Sequence, residues 1–359
     1  MNKKVNIVYD NLVYKFQKSG GVSRYWYEIT RRVSEKKNTN ITYVSNKKSF
    51  YEIKNIKKNI IEEQIHHKIL KYIPFTIKLK KNSIFHSSFY RISLQKNIIN
   101  VTTVHDFTYE KYRRGLSKFI HSTIKNFAIK NSKGIICISE STKKDLLKYL
   151  PNVDENKIKV IYNGANKDFY KLKDLNLPAK FLNLLGQKII LFVGNRKHYK
   201  NFNLAIDVVS QLPTFKFCIV GNDELEKEEI NSLNMKLKNR YTFYRNISDQ
   251  DLNIMYNISF CLLYPSSYEG FGIPIVEANR SGCPVVANNK SSIPELVGST
   301  RLLTDSEDVS SFISKIKLLE DEAIRQEEIN LGLKNAQKFD WDITAKNVLE
   351  FYIELLKNK

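Results

Sequence analysis

Long apolar runs are missing from this chain of 359 residues. No stretch approaches the roughly 18 consecutive apolar residues of a membrane-spanning helix. The opening MNKKVNIVYDN lacks an apolar core, because Asn6, Asp10 and Asn11 interrupt it, and so makes a poor secretion signal. Cysteine is scarce: Cys137, Cys218, Cys261 and Cys283 stand far apart, in apolar strands or at a strand entrance. That pattern excludes a disulfide framework and spaced metal ligands. A reduced, cytoplasmic protein is expected. Internal repeats and low-complexity linkers are also absent.

Acidic side chains are scarce in one half only. Residues 1–150 hold 31 basic and 10 acidic residues, and residues 151–359 hold 27 of each, so the whole net charge of +21 falls on the first half. A basic surface of this kind favours an anionic partner. No basic helix, RNA-binding motif or aromatic platform for single strands accompanies the charge, so nucleic acid is not expected. An anionic membrane surface is the expected partner, with the protein held peripherally on the inner face of the membrane. Residues 47–81 carry ten lysines against three glutamates. Within them Ile65, Ile69, Tyr72 and Ile73 share one helical face, which suits a helix at the bilayer interface or one packed on its own domain.

The apolar pattern is strand-then-helix, in two series. Val5–Tyr9 reads as a first strand. After it Gly20-Gly21 opens a helix carrying Val22, Trp26, Ile29 and Val33 at helical spacing. Phe85–Ser88, Val101–Val104, Gly134–Ser139 and Lys157–Tyr162 read as further strands. Ser141 is expected to cap the helix through Leu146, and Asn163-Gly164 forms a turn. A second series begins with Ile189–Val193 and continues at Phe215–Val220, Ser259–Tyr264 and Val285–Ala287. Ser248-Asp249-Gln250-Asp251 is a capping-box pattern, and Ser291, Ser292, Pro294 and Glu295 form another helix start. Two doubly wound parallel sheets are the expected α/β architecture.

Four groups in this pattern can do chemistry. In Tyr264–Glu277 (YPSSYEGFGIPIVE) a strand meets a glycine-rich turn and then a helix with Pro274 in its first turn. Backbone N–H groups at such a helix start attract phosphate or sugar oxygens. Glu269 stands on the loop and Glu277 about one turn inside the helix, so one carboxylate can hold a sugar hydroxyl and the other a ribose. Arg196 and Lys200 follow the Ile189–Val193 strand; two cations there can clamp a diphosphate and stabilise it as it leaves. His105-Asp106, at a strand's C-terminal end, is placed for work on a substrate hydroxyl, or His105 is a capping histidine. Tyr109, Tyr112, Arg113 and Arg114 come next, in a loop that could meet an acceptor. Each of these groups also has a plain reading as a solvated turn or an ordinary βα loop.

Glu269, seven residues, then Glu277, with Gly-Phe-Gly after the first, resembles the signature of the retaining glycosyltransferases of family 4. The resemblance extends along nearly the whole chain. GGVSRYWYEI at residues 20–29 is similar to a bacterial branch that includes mannosyltransferases of surface-polysaccharide (O-antigen or capsule) assembly. It implies the GT-B fold: two Rossmann-like domains facing an inter-domain cleft. The expected boundaries are an acceptor domain at 1–165, a linker at 166–186 and a nucleotide-sugar domain at 187–340. A terminal helix at 341–359 is expected to pack back on the first domain. The resemblance further implies donor contacts from Gly20, Gly21, Asn163, Arg196, Lys200, Glu269, Gly270, Phe271, Gly272 and Glu277. It puts His105 at the transferred sugar, beside Glu269, Arg196 and Lys200 as the catalytic set. Asp106, Tyr109 and Arg113 are the acceptor-side candidates.

The expected activity is a retaining hexosyl transfer to a glycan or lipid-linked acceptor in cell-surface glycan synthesis, with mannose from GDP-mannose the favoured donor and a UDP-linked sugar the alternative. No cofactor and no metal are expected, since Arg196 and Lys200 take a metal's role. A GT-B nucleotide-sugar epimerase or hydrolase is the alternative, against which the basic first half argues.

Overall fold

The computed structural model of the chain describes residues 4–17, 20–45, 59–174 and 177–358. They form two compact units. The first runs to Asn163 and resumes at Trp341; the second is Gly164–Asp340.

Among the described residues the first unit holds seven strands: β1 (Val5–Asp10), β2 (Thr39–Ser45), β3 (Ile60–Glu62), β4 (Ile84–Ser87), β5 (Ile99–Val104), β6 (Gly134–Cys137) and β7 (Ile158–Val160). They pair in parallel in the order β3-β2-β1-β4-β5-β6-β7. β4, β5 and β6 are buried along their whole length, as central strands of a parallel sheet are. Helix Gly21–Ser34 buries Trp26, Ile29 and Val33, as their spacing predicts, and adds Tyr25. The last helix, Trp341–Lys357, belongs to this unit. Its Tyr352 hydroxyl lies 2.5 Å from His86 Nδ1 in β4, and Thr344 donates to the Tyr162 carbonyl at 2.8 Å. Gly134 makes room for it, since a Cβ there would lie 2.4 Å from Leu355 Cδ1.

The second unit holds β8 (Lys188–Val193), β9 (Phe215–Gly221), β10 (Tyr241–Arg245), β11 (Cys261–Tyr264), β12 (Val285–Asn288) and β13 (Leu303–Thr304). They pair in parallel in the order β10-β9-β8-β11-β12-β13. Phe192, Phe202 and Phe217 pack against one another in its core. In both sheets the winding reverses between two central neighbours, β1/β4 and β8/β11. Loops diverge there at the strands' C-terminal ends and leave a crevice, the usual ligand position of an open α/β sheet.

Three sequence expectations are corrected. Residues 166–186 are not a free linker, and the units divide at Asn163/Gly164. In this stretch Asn166 donates to Asp249, the Tyr170 N–H to Asn253 and the Leu172 N–H to Asn257, so helix Asp249–Ile258 holds it. Phe181 is fully buried within the 3-10 turn Ala179–Leu184. The helix expected through residues 65–73 is a single turn, His67–Leu70; Leu70 turns inward while Ile65, Ile69 and Tyr72 are exposed. Lys71 lies over the Phe16 and Tyr72 rings. Residues 47–58 of that lysine-rich segment lie outside the described residues. Finally, Ser139, not Ser141, caps helix Glu140–Tyr149, accepting from the Thr142 N–H at 3.0 Å.

Candidate functional site

The β8/β11 crevice carries the densest chemistry. β8 is followed by Gly194, whose φ of 131° is open to glycine and strained for other residues. The chain then turns through His198–Lys200 and enters helix Phe202–Ser210 at Asn201. That turn points Lys200 back over the end of β11. Its ammonium is 2.5 Å from Glu269 Oε1 and 3.2 Å from the Tyr264 hydroxyl, and the residue is 8% exposed. A buried cation and carboxylate this close form a charge-assisted pair that water barely screens.

Glu269 sits on the loop leading to helix Ile273–Arg280. Gly272 opens that helix at φ 117°, and Pro274 occupies its first turn. A Cβ on Gly272 would press Leu296 Cδ1 at 3.2 Å, so glycine is needed both for its φ and for space. Phe271 turns its ring inward against Phe339 and is 4% exposed. It anchors the loop, and its carbonyl accepts from the buried Ser292 hydroxyl at 2.6 Å. Glu277 is 3% exposed and accepts from the Tyr256 hydroxyl at 3.2 Å.

Arg196 is not brought to Glu269. Its Nε donates to both Glu229 carboxylate oxygens, at 2.9 and 2.8 Å, and its Nη2 to the Asp223 and Glu224 carbonyls. Its Nη1 is buried without a hydrogen-bond partner. The guanidinium is thus fixed at the end of β9, with one donor unused. Glu229 went unnoticed in the sequence because it sits in an ordinary run of helix-surface charges. Tyr256 and Tyr264 went unnoticed because each reads as an apolar core position.

In the first unit, Gly20 starts helix Gly21–Ser34 at φ 153°. The Gln17 side chain fills the place where a Cβ would stand, and its Oε1 accepts from the Ser23 N–H. His105 follows β5 and meets Tyr25 edge-on at 4.8 Å. Burial pushes its imidazole down to about 4, against the pull of Asp106, so it is neutral at pH 7. Asp106 accepts from the Thr108 N–H at 2.8 Å, and its carbonyl accepts from Lys125. Lys125 is fully buried, 2.7 Å from Glu110 and 3.8 Å from the Phe107 ring centroid. Tyr109 stacks on His121 at 3.8 Å. Arg113 is exposed at the end of helix Thr108–Tyr112. Asn163 is 3% exposed, and its Oδ1 has no hydrogen-bond partner.

Among the described residues no cluster of three histidine, cysteine or acidic side chains could hold a metal ion. The chain contains two Asp-x-Asp triplets, Asp249-Gln250-Asp251 and Asp340-Trp341-Asp342. The first opens a helix, with Asp249 accepting from Asn166 and Asp251 paired with Lys180 at 2.6 Å; in the second, Asp340 pairs with Arg280 at 3.2 Å and Asp342 with Arg32 at 2.7 Å.

Two parallel-sheet, Rossmann-like domains in one chain are the architecture of the GT-B fold. Residues 19–169 match the model of Glycosyltransferase Family 4, and residues 174–338 match that of Glycosyl transferases group 1. The chain belongs to this family of glycosyltransferases. It is 27% identical to the O-antigen chain mannosyltransferase B of Escherichia coli, over 70% of this chain and 69% of that one. It is 28% identical to the O-antigen chain mannosyltransferase RfbU of Salmonella typhimurium, over 68% and 67%. The Anabaena protein HepE, solved with UDP and glucose, superposes with a TM-score of 0.72 at 18% identity, over 96% of this chain and 98% of that one.

Proposed function

We propose that the protein is a retaining hexosyltransferase of cell-surface polysaccharide synthesis, taking mannose from GDP-mannose and passing it to a glycan or lipid-linked acceptor. The observation that carries this reading is the buried Lys200–Glu269 pair at the β8/β11 switch point. The named mannosyltransferase relatives support the sugar.

In the reaction the bond from C1 of the sugar to the diphosphate oxygen breaks and a bond from C1 to the acceptor oxygen forms. The acceptor's proton passes to the departing diphosphate on the same face. The leaving group gains negative charge as this happens. Lys200 and the unused Nη1 donor of Arg196 stabilise that charge, the role a metal plays elsewhere. Glu269 holds Lys200 and takes a sugar hydroxyl; Glu277 takes the ribose. Neutral His105 offers a hydrogen bond to the transferred sugar. Asp106, Tyr109 and Arg113 line the acceptor side.

The test is transfer from a panel of nucleotide sugars to membrane lipid extract or oligosaccharide, with the anomer identified by NMR. GDP-mannose should be the best donor, the product should keep the donor's configuration, and activity should persist in excess EDTA. Best transfer from UDP-glucose would move the donor to the sugar nucleotide whose parts HepE was solved with. Turnover of donor with water alone would favour the hydrolase reading.

A further inference from the structure

The loop after β12 carries two serines whose geometry a helix start does not explain. Ser292 is the N-cap of helix Ile293–Leu296, and a serine there normally accepts from its own helix's first N–H groups. Ser292 makes no such bond. Its hydroxyl, fully buried, reaches instead to the neighbouring loop, 3.0 Å from the Glu269 carbonyl and 2.6 Å from the Phe271 carbonyl. Ser291 sits at φ 48°, a left-handed conformation that glycine adopts without strain and serine does not. Its Oγ accepts from the Glu269 N–H at 2.8 Å. Asn288, just upstream, donates to the Pro265 and Ser266 carbonyls.

We infer that Ser291 and Ser292 are positioning residues that clamp the backbone of Glu269 on both sides and so hold its carboxylate on Lys200. One takes the Glu269 N–H and the next takes its C=O. The strained φ at Ser291 is the cost of bringing an acceptor to that N–H. A glycine would relieve the strain and lose the bond. The two loops follow adjacent parallel strands, β11 and β12, so the clamp joins the site's loop to a rigid neighbour. This inference rests on the proposed role of Glu269 at the donor.

The test compares the full-length wild type with Ser291→Gly, Ser291→Ala and Ser291→Asn. Three quantities are read: Tm, kcat against KM for the donor, and amide hydrogen exchange of residues 265–272. Ser291→Gly should melt higher than Ser291→Ala, because only glycine relieves the strain. Both should lose about tenfold in kcat with KM little changed, and both should speed exchange at the Glu269 amide about tenfold. Ser291→Asn tolerates the left-handed region and carries an acceptor oxygen, so it should recover part of both losses. Wild-type kcat and slow Glu269 exchange in Ser291→Gly would overturn the clamp. Were the wild type itself to transfer no sugar, the proposed function would fall, and the exchange arm alone would decide the clamp.

Discussion

Lys200 and Arg196 look alike in the sequence, but the structure separates them. Lys200 is paired with Glu269 and Tyr264, whereas Arg196 is held by Glu229 and two carbonyls. Removing either cation should lower kcat by about 30- to 1,000-fold, the loss of about 2–4 kcal/mol of transition-state stabilisation. The stability costs should differ in kind. Lys200→Met leaves the Glu269 backbone held and only its side chain unpaired from a cation, so Tm should change little. Arg196→Met removes the ion pair that a nearly buried guanidinium makes with Glu229, and should also lower Tm. Steady-state kinetics and thermal melts of both variants check this; near-wild-type turnover in either removes that residue from the charge-stabilising set. Gly194 and Gly272 stand at positive φ and Lys200 pairs with Glu269, and such turns and charges can be picked out in a sequence because backbone freedom and charge leave marks there. Tyr264, Tyr256 and Glu229 left none, since their roles arise from contacts between distant segments.

Among the elements, helices Asp249–Ile258 and Ile273–Arg280 meet through Tyr256 and Glu277. A buried carboxylate that loses one of its donors loses about 1–3 kcal/mol and is held less firmly. Tyr256→Phe should therefore weaken binding of free nucleoside diphosphate, as Glu277→Gln should. Calorimetric titration would read it, and unchanged affinity in both would end the ribose assignment. The histidines of the first unit carry a second expectation. Burial pushes the imidazoles of His86, His105 and His121 down to about 3, 4 and 4. Unfolded, each titrates near 6.5, so below that pH the unfolded chain binds more protons. Stability should be full above about pH 6.5 and fall as the pH drops towards 4. His86→Gln, which keeps a polar side chain between Tyr352 and Thr103, should flatten this fall. Denaturant unfolding at pH 7.5 and 5 measures it; equal losses in variant and wild type would exonerate His86. The central strands were readable because a parallel sheet buries near-continuous apolar runs. Helix Gly115–Lys130 was not, because it inverts the usual stripe: Leu116 and Phe119 are 72% and 69% exposed while Lys125 is fully buried.

For the whole molecule, the charge lies on the first unit's side of the sequence. Exposed Leu116 and Phe119 stand beside Arg113, Arg114 and Lys118, and exposed Ile69 and Tyr72 beside Lys71. Each basic residue near an anionic bilayer contributes about 1 kcal/mol, screened within roughly 10 Å by salt. The full chain should float with anionic liposomes at low salt and be released at high salt. Floating equally with neutral liposomes would make the contact apolar, and no flotation at low salt would remove the membrane role. The two-sheet plan was legible from the doubled strand–helix alternation. The docking of residues 166–186 on the second unit was not, since a segment held by side-chain hydrogen bonds looks in sequence like a connector.

The first unit is interrupted, and its final helix lies beyond the entire second unit. On the ribosome, then, the second unit is finished while the first still lacks a wall. His86 waits beside the place of Tyr352 until helix Trp341–Lys357 emerges. Strands β1 to β7 must spend most of translation incomplete, with the seat of that helix uncovered. A truncation before Trp341 would not trim the C-terminal domain; it would leave the N-terminal one unable to close its core.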